Sequence, residues 1–360
     1  MPENDQMRRA LDLAAEAEGC VSPRPPVGAV VVSEDGRVVG EGATTPSPGP
    51  HAEVVALRRA GTAARGGTIH VTLEPCCHTG ATGPCTDAII DAGIARVVAA
   101  VTDPDPRVLG RGLRRLREAG IEVVEGVEQE RAAVLIEPFT VWTRTGRPFV
   151  TLKVAATLDG KVAAADGSSR WITGEAARAQ VHDLRARCDA VIVGAGTVLA
   201  DDPELTSRLP DLARPQPVRV VVDSSGRAPA TSRVFDGTVP TIVATTAGSA
   251  QTAAGTGAEV VVLPESEAGV DLGSLLDELG SRGMCHVLAE AGPTLAASLL
   301  FGQLVDRIVL YLAPKLVGGE APGMLGTGVK TIADAWDLSI ERLSMVGPDL
   351  RVDARPGRRS

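Results

Sequence analysis

Residues 68–101 read TIHVTLEPCCHTGATGPCTDAIIDAGIARVVAAV. Residues 68–73 form an apolar run of strand length that Pro75 stops, residues 85–92 carry helical spacing after Gly83-Pro84, and residues 95–101 return to a strand pattern. Strand, irregular loop, helix and strand in succession is the unit of a sheet covered by helices.

The same alternation extends both ways. Upstream, residues 4–18 place Met7, Leu11 and Ala14 on one helical face, residues 27–32 read as a buried strand, and Asp35-Gly36 turns a hairpin into residues 37–40. Three prolines and a glycine within residues 44–50 make a loop that delivers the chain to a helix beginning near His51. Downstream come a helix over 112–119 and a strand over 121–124. These elements predict a largely parallel sheet with both faces covered. A connecting helix over 128–144 then meets Thr145-Gly146-Arg147-Pro148, which punctuates a boundary.

Beyond it, apolar strands are expected over 149–155, 190–193, 218–222, 241–244, 259–263, 286–289 and 308–312. No segment repeats another. The reading is a domain over 1–146, a second over 147–352, and a disordered tail over 353–360, where arginines alternate with Pro and Gly.

At 360 residues, 44% hydrophobic and only 2% aromatic, the chain packs its cores with Ala, Val, Leu and Ile, an α/β profile. A net charge of −9 argues against nucleic acid and anionic membrane as partners. No apolar run reaches the roughly 20 residues that span a bilayer, and the opening is amphipathic rather than a signal peptide, so a cytoplasmic protein is expected.

Of six cysteines, Cys20, Cys188 and Cys285 stand alone and read as small buried hydrophobes, whereas Cys76, Cys77 and Cys85 crowd together. With His51 they make a metal constellation. A hydrolytic zinc takes three protein ligands and leaves its fourth position to water, which His51, Cys76 and Cys85 would satisfy. Glu53, two residues past His51 at a helix start, is the candidate acid-base group for that water. Cys85, at the N-terminus of its helix, gains thiolate stabilisation from unpaired N–H groups. The pattern matches the His-x-Glu and Pro-Cys signature of zinc deaminases. The alternative is a closed structural zinc with Cys77 or His78 as fourth ligand, which leaves Glu53 unexplained. His70, in an apolar strand, reads as a core or edge histidine. The deaminase signature separates its two thiolates by two residues, so 77–84 is an insertion and favours a substrate larger than a base or simple nucleoside.

In the second half, Gly194-Ala195-Gly196 lacks the third glycine of a dinucleotide fingerprint, because position 199 is Leu199. A glycine turn after the 190–193 strand is the better reading, with Thr197 and Asp201 facing a cofactor. Gly292-Pro293-Thr294 opens an apolar helix over 295–300, and its free N–H groups suit a pyrophosphate; an ordinary strand-turn-helix connection is the other reading. Glu290, at the preceding strand end, is a candidate acceptor for a substrate hydroxyl. Lys153, Arg185 and Arg208 are candidate clamps for a substrate phosphate. Trp171 would lie against the cofactor or else pack in the core.

These residues together resemble the bifunctional riboflavin-biosynthesis deaminase/reductases over nearly the whole chain. The resemblance rests on 25–30, 51–54, 72–78 with Pro84-Cys85, and Asp103-Pro104-Asp105-Pro106 with Gly110-Arg111-Gly112 in the first half. In the second it rests on Leu152-Lys153, Leu158-Asp159-Gly160, 169–173, 193–203, Leu205-Thr206 and Arg208. It implies a cytidine-deaminase-like α/β/α sandwich followed by a dihydrofolate-reductase-like α/β domain. It implies zinc and NADPH as cofactors, and a phosphorylated diaminopyrimidinone whose 2-amino group is hydrolysed before its ribosyl chain is reduced to ribityl. A homodimer or tetramer is expected. Ala155 and Ser224 join the cofactor side, and Ser169 and Leu205 the substrate side. Arg24, Thr44 and Ala81 stand where the family usually has Asn, His and a basic residue, near its substrate contacts. A related amino-pyrimidine or purine as substrate is the alternative, and a non-catalytic protein with structural zinc the second.

Overall fold

In the computed structural model, residues 3–79, 83–209 and 214–357 are described. They form two compact units, Met1–Gly146 and Arg147–Ser360. The first contains α1 (Glu3–Ala17), β1 (Gly28–Val32), β2 (Val38–Ala43), α2 (Ala52–Ala60), β3 (Thr68–Leu73), α3 (Cys85–Asp91), β4 (Arg96–Val101), α4 (Arg111–Glu118), β5 (Glu122–Glu125), α5 (Gln129–Leu135) and α6 (Glu137–Thr145).

Its sheet runs β2-β1-β3-β4-β5. Alternating side chains split the core in two. Ala29, Val31, Ile69, Val71 and Val97 pack with Ala56 and Leu57 of α2, Ile89 of α3 and Leu113 of α4, while Val30, Val32 and Val98 pack with Met7 and Leu11 of α1 and Ala132 of α5. The result is a three-layer sandwich. The sheet is less parallel than expected: β3, β4 and β5 are parallel, but β1 is antiparallel to both β2 and β3. The Asp35-Gly36 hairpin forces the first reversal. A Cβ on Gly42 would lie 2.5 Å from the Ala52 carbonyl oxygen, so glycine there lets the start of α2 press onto β2. The expected helix over 128–144 is interrupted at Ile136, because Pro138 lacks an N–H and its ring opposes the carbonyl one turn back.

The second unit contains β6 (Phe149–Thr157), α7 (Glu175–Ala186), β7 (Ala190–Gly194), α8 (Ala195–Asp201), β8 (Val218–Val222), β9 (Thr241–Thr245), α9 (Ala250–Ala254), β10 (Glu259–Val262), the short ribbon β11 (Glu265–Ser266) and β12 (Gly269–Val270), α10 (Leu272–Ser281), β13 (His286–Ala289), α11 (Pro293–Phe301), β14 (Arg307–Ala313), β15 (Leu338–Val346) and β16 (Asp349–Pro356). The large sheet runs β10-β9-β8-β7-β13-β6-β14-β16-β15. Its first seven strands are mutually parallel, and β16 and β15 close it as an antiparallel hairpin. Leu275 and Leu279 of α10 and Leu299 of α11 fill one face against Leu152, Ile192 and Val220. Val181 of α7 meets Val309 and Tyr311 on the other.

The hairpin overturns the disordered tail from Asp353. Asp353 and Ala354 are buried, and Arg351 and Arg355 are tied to Asp353 and Glu341, so these arginines serve a strand; Arg358 and Arg359 lie outside the described residues. The glycine turn expected at Gly194-Ala195-Gly196 is also corrected. Gly194 caps α8 at φ −87° and ψ 156°, and helix begins at once with Ala195. Among the described residues, no helix is long and apolar enough to cross a membrane.

Candidate functional site

Two helix starts and a strand exit build the metal centre of the first unit. His51 caps α2 in extended conformation, Glu53 sits in the first turn, Cys85 is the first residue of α3, and Cys76 follows β3 through Glu74-Pro75. One donor atom from each of His51, Cys76 and Cys85 lies within 4.8 Å of the others. His51 Nδ1 is 3.2 Å from Cys85 Sγ and 3.6 Å from Cys76 Sγ. The Cys85 N–H donates to Cys76 Sγ at 3.4 Å.

Those separations suit a tetrahedral ion about 2.0 Å from nitrogen and 2.3 Å from sulfur. The donor chemistry fits zinc: one imidazole and two thiols, with the fourth position left to water. Among the described residues neither Cys77 nor His78 joins the donor group, and neither does Glu53. A closed structural site therefore lacks its fourth ligand. Hydrogen bonds from Cys85 and His51 lower the Cys76 thiol below its ordinary range, which favours the thiolate that a metal takes. Burial and the neighbouring Cys76 push the Glu53 carboxyl up to about 7.

The three departures from the family pattern fall differently. The half-buried Arg24 guanidinium donates to the carbonyls of Gly49 at 2.7 Å and Thr45 at 3.3 Å, tying down the loop that leads to His51. Thr44 is buried and hydrogen-bonds the Val27 backbone, so its hydroxyl serves the sheet. Ala81 lies outside the described residues.

In the second unit a cleft of ≈ 1910 Å³ opens where parallel strands end. Every residue singled out there from the sequence lines it: Lys153, Ala155, Ser169, Trp171, Arg185, Thr197, Asp201, Leu205, Arg208, Ser224, Glu290, Gly292, Pro293 and Thr294. Their chemistry is more constrained than residue type implies. Glu290 takes a bidentate hydrogen bond from Arg185 and lies 3.8 Å from Lys153 Nζ. Burial alone would raise its carboxyl, but Arg185 and Lys153 outweigh burial and hold it at about 2. Arg208 is paired with Glu204 at 2.5 Å. All three clamp candidates thus already face a carboxylate.

Leu205 is 2% exposed, with its side chain in the core and φ at +57°, so only its backbone is offered to the cleft. Trp171 is 62% exposed, which removes the core-packing alternative; the Arg178 guanidinium lies 4.5 Å over its ring. Ser169 Oγ donates to Asp201 at 3.0 Å. Gly292 caps α11, and a Cβ on it would lie 3.2 Å from Thr197 Oγ1, so the starts of α8 and α11 face each other. Ser224 Oγ is engaged by the Val270 N–H.

Arg178 and Arg227 also line the cleft and carried no signal in the sequence. Arg227 is exposed, with its backbone N–H bonded to Asp223 Oδ1.

Comparison with known proteins finds relatives of both units. Residues 148–350 match the RibD C-terminal domain, and residues 2–101 match the cytidine and deoxycytidylate deaminase zinc-binding region. The riboflavin biosynthesis protein RibD of Escherichia coli (strain K12) is 42% identical over 97% of this chain and 98% of its own. That of Aquifex aeolicus is 42% identical over 97% of each. The fold matches Acinetobacter baumannii RibD with a TM-score of 0.88 at 37% identity, covering 99% of both chains. It matches equally, at TM-score 0.88 and 37% identity over 98% of both, a Thermotoga maritima diaminohydroxyphosphoribosylaminopyrimidine deaminase/5-amino-6-(5-phosphoribosylamino)uracil reductase. The chain belongs to the RibD family, the two-domain deaminase/reductases of riboflavin biosynthesis.

Proposed function

We propose that the first unit hydrolyses the 2-amino group of 2,5-diamino-6-ribosylamino-4(3H)-pyrimidinone 5′-phosphate, and that the second reduces the ribosyl chain of the product to ribityl with NADPH. The observation that carries the reading is the His51, Cys76 and Cys85 donor set with the buried Glu53 carboxyl two residues past His51, in the first turn of α2. Zinc held there supplies an activated water. Glu53 would carry a proton from the attacking water to the departing amino nitrogen, so that a C–O bond replaces a C–N bond and ammonia leaves. Burial raises this carboxyl above its ordinary range, which favours its carrying a proton.

In the cleft, NADPH supplies the two reducing electrons. The N–H groups at the start of α11, with Gly292, Pro293 and Thr294, seat the pyrophosphate, and Thr197 faces them. Trp171, Ala155, Asp201 and Ser224 line the cofactor side. The Arg227 guanidinium, three residues past Ser224, suits the 2′-phosphate. Glu290 orients a ribosyl hydroxyl, with Lys153 and Arg185 fixing its position, while Arg208, Ser169 and the Leu205 backbone border the substrate. A cytoplasmic location is part of the same proposal, in keeping with the use of NADPH and with cysteines that are not paired in disulfides.

The second unit also exposes an apolar stripe on its edge strand. Pairing of β15 with β16 puts Leu338, Ile340, Leu343 and Met345 on one sheet face, exposed by 46%, 59%, 58% and 66%. An apolar stripe of this extent on an outer strand suits a second copy packed by two-fold symmetry. Sedimentation equilibrium checks the homodimer, with Leu343→Glu expected to give monomers.

The test of the reaction presents zinc-loaded protein with the diaminopyrimidinone phosphate and records ammonia release and NADPH oxidation together. Ammonia followed by NADPH consumption supports both steps. A folded, zinc-loaded protein that yields neither has another amino-pyrimidine or purine as its substrate.

A further inference from the structure

One buried acid beside the metal centre takes no part in the chemistry above. Glu74, the residue between β3 and Pro75-Cys76, is 3% exposed, and among the described residues no lysine or arginine pairs with it. Its side chain is held by main-chain N–H groups instead. Oε2 accepts from Asp103 at 3.1 Å and Gly110 at 2.8 Å; Oε1 accepts from Gly112 at 2.9 Å and Leu113 at 3.3 Å. Gly112 and Leu113 lie in the first turn of α4, whose leading N–H groups have no partner within the helix. The Glu74 N–H in turn donates to Val101 at the end of β4. One carboxylate therefore ties the end of β3, the loop after β4 and the start of α4 together.

The next residues show what that knot holds. A Cβ on Gly112 would lie 1.9 Å from the Pro75 carbonyl oxygen, so α4 rests directly on the peptide that precedes Cys76. The Cys76 carbonyl accepts the Thr86 N–H at 3.2 Å, and its sulfur accepts the Cys85 N–H. Cys76 is thus pinned from behind by Glu74 and in front by α3. The loop drawn in by Glu74 carries Asp103, close enough for the Cys76 charge to help raise its carboxyl, which burial pushes up to about 6.

We propose that Glu74 is the positioning residue of the metal centre, fixing Cys76 relative to His51 and Cys85 through four backbone hydrogen bonds; this rests on the zinc reading of that site. Removing partners that orient a metal ligand typically weakens binding 10–100-fold.

The full-length Glu74→Gln variant replaces one acceptor oxygen with an NH₂ that faces backbone donors, at nearly unchanged volume. Zinc affinity is measured by competition with a chromogenic chelator, and the ligand field by the visible spectrum of the cobalt-loaded protein. The expected result is zinc affinity weaker by about 10–100-fold and an altered cobalt spectrum, with the reductase rate within about twofold of the parent. Unchanged zinc affinity and an unchanged cobalt spectrum overturn the proposal, whatever happens to thermal stability. If Glu74→Gln does not fold, Glu74→Asp, which keeps the charge but draws it back by one methylene, is read the same way. Failure of both to fold assigns Glu74 to the fold alone and also overturns it. Neither readout needs a substrate, so a wild-type protein that binds zinc but deaminates nothing sinks the substrate assignment and leaves this one standing.

Discussion

The metal centre and the cleft reach their chemistry by opposite routes. The metal centre is compact and local: three ligands and Glu53 come from two helix starts and one strand exit, and the backbone around them fixes each donor. The cleft is diffuse, drawing on the ends of β6, β7, β8 and β13, and its charged groups are paired with one another. A centre of the first kind concentrates its function in single side chains. One of the second kind spreads function over electrostatic pairs, where losing a partner harms fold and function together.

The largest expected effect tests the first half of that contrast. Glu53→Gln, which removes the proton carrier at nearly constant volume, should lower the deaminase rate by about 10²–10⁴-fold. Reduction of the separately supplied deaminated intermediate should stay within about twofold. Measuring both rates on one preparation decides it, because loss of both in folded protein contradicts separate sites. Next comes Glu290→Ala, which strands Arg185 and Lys153 as neighbouring cations in a low-dielectric cleft wall. Breaking such a buried pair costs about 3–5 kcal/mol, so urea melts of the second unit should shift by that amount while the reductase rate collapses. A stable Glu290→Ala protein that has lost only reduction would make the cleft as concentrated as the metal centre.

Acid sharpens the comparison, since it acts on the second unit through buried histidine. Burial and the Arg307 cation push His286 down to about 4, against about 6.5 in an unfolded chain; its ring packs edge-on against Phe149, its Nε2 is 2.9 Å from Thr151 Oγ1, and Asp189 holds its backbone N–H. Above about pH 6.5 the imidazole is neutral in both states. As pH falls towards 4 the unfolded chain takes up the proton first, and stability is lost across that window, by about 2 kcal/mol once partial exposure is allowed for. His182, lowered by burial and by Arg185 and Arg208, adds a contribution of the same sign. His286→Gln should therefore flatten, without abolishing, the fall in urea midpoint between pH 6.5 and 4.5.

How far the sequence was legible follows the same division. Strands with continuous Val and Ile runs, such as β1 and β7, could be read directly, because burial on both faces leaves a pattern that composition alone reveals. The grouping of His51, Cys76 and Cys85 was legible because a metal site demands those residue types at such places. The β15 and β16 hairpin was not: Leu338–Val346 is exposed at almost every position, its alternation of Leu338, Ile340, Leu343 and Met345 is broken by a bulge between Ile340 and Arg342, and its arginines resembled a tail until their partners Asp353 and Glu341 were placed. The antiparallel setting of β1 depends on which neighbour it finds, which periodicity does not encode. Glu74 was visible only as part of a ligand motif, since the amides it binds lie 29 to 39 residues away.

The smallest effect probes the cleft residue that left no trace in the sequence. Arg227 stands where the turn after β8 is held by Asp223, whose two carboxylate oxygens accept the N–H groups of Arg227 and Ala228 at 3.0 and 2.7 Å. The turn therefore fixes the base of an exposed side chain and leaves its head facing the cleft. If that head reads the 2′-phosphate, Arg227→Ala should raise the KM for NADPH about tenfold, near 1.4 kcal/mol, while kcat and the KM for NADH change little. A surface arginine without this role would move neither KM. An equal rise for both cofactors would mean that Arg227 meets the shared pyrophosphate, and the cleft would then distinguish NADPH through another residue.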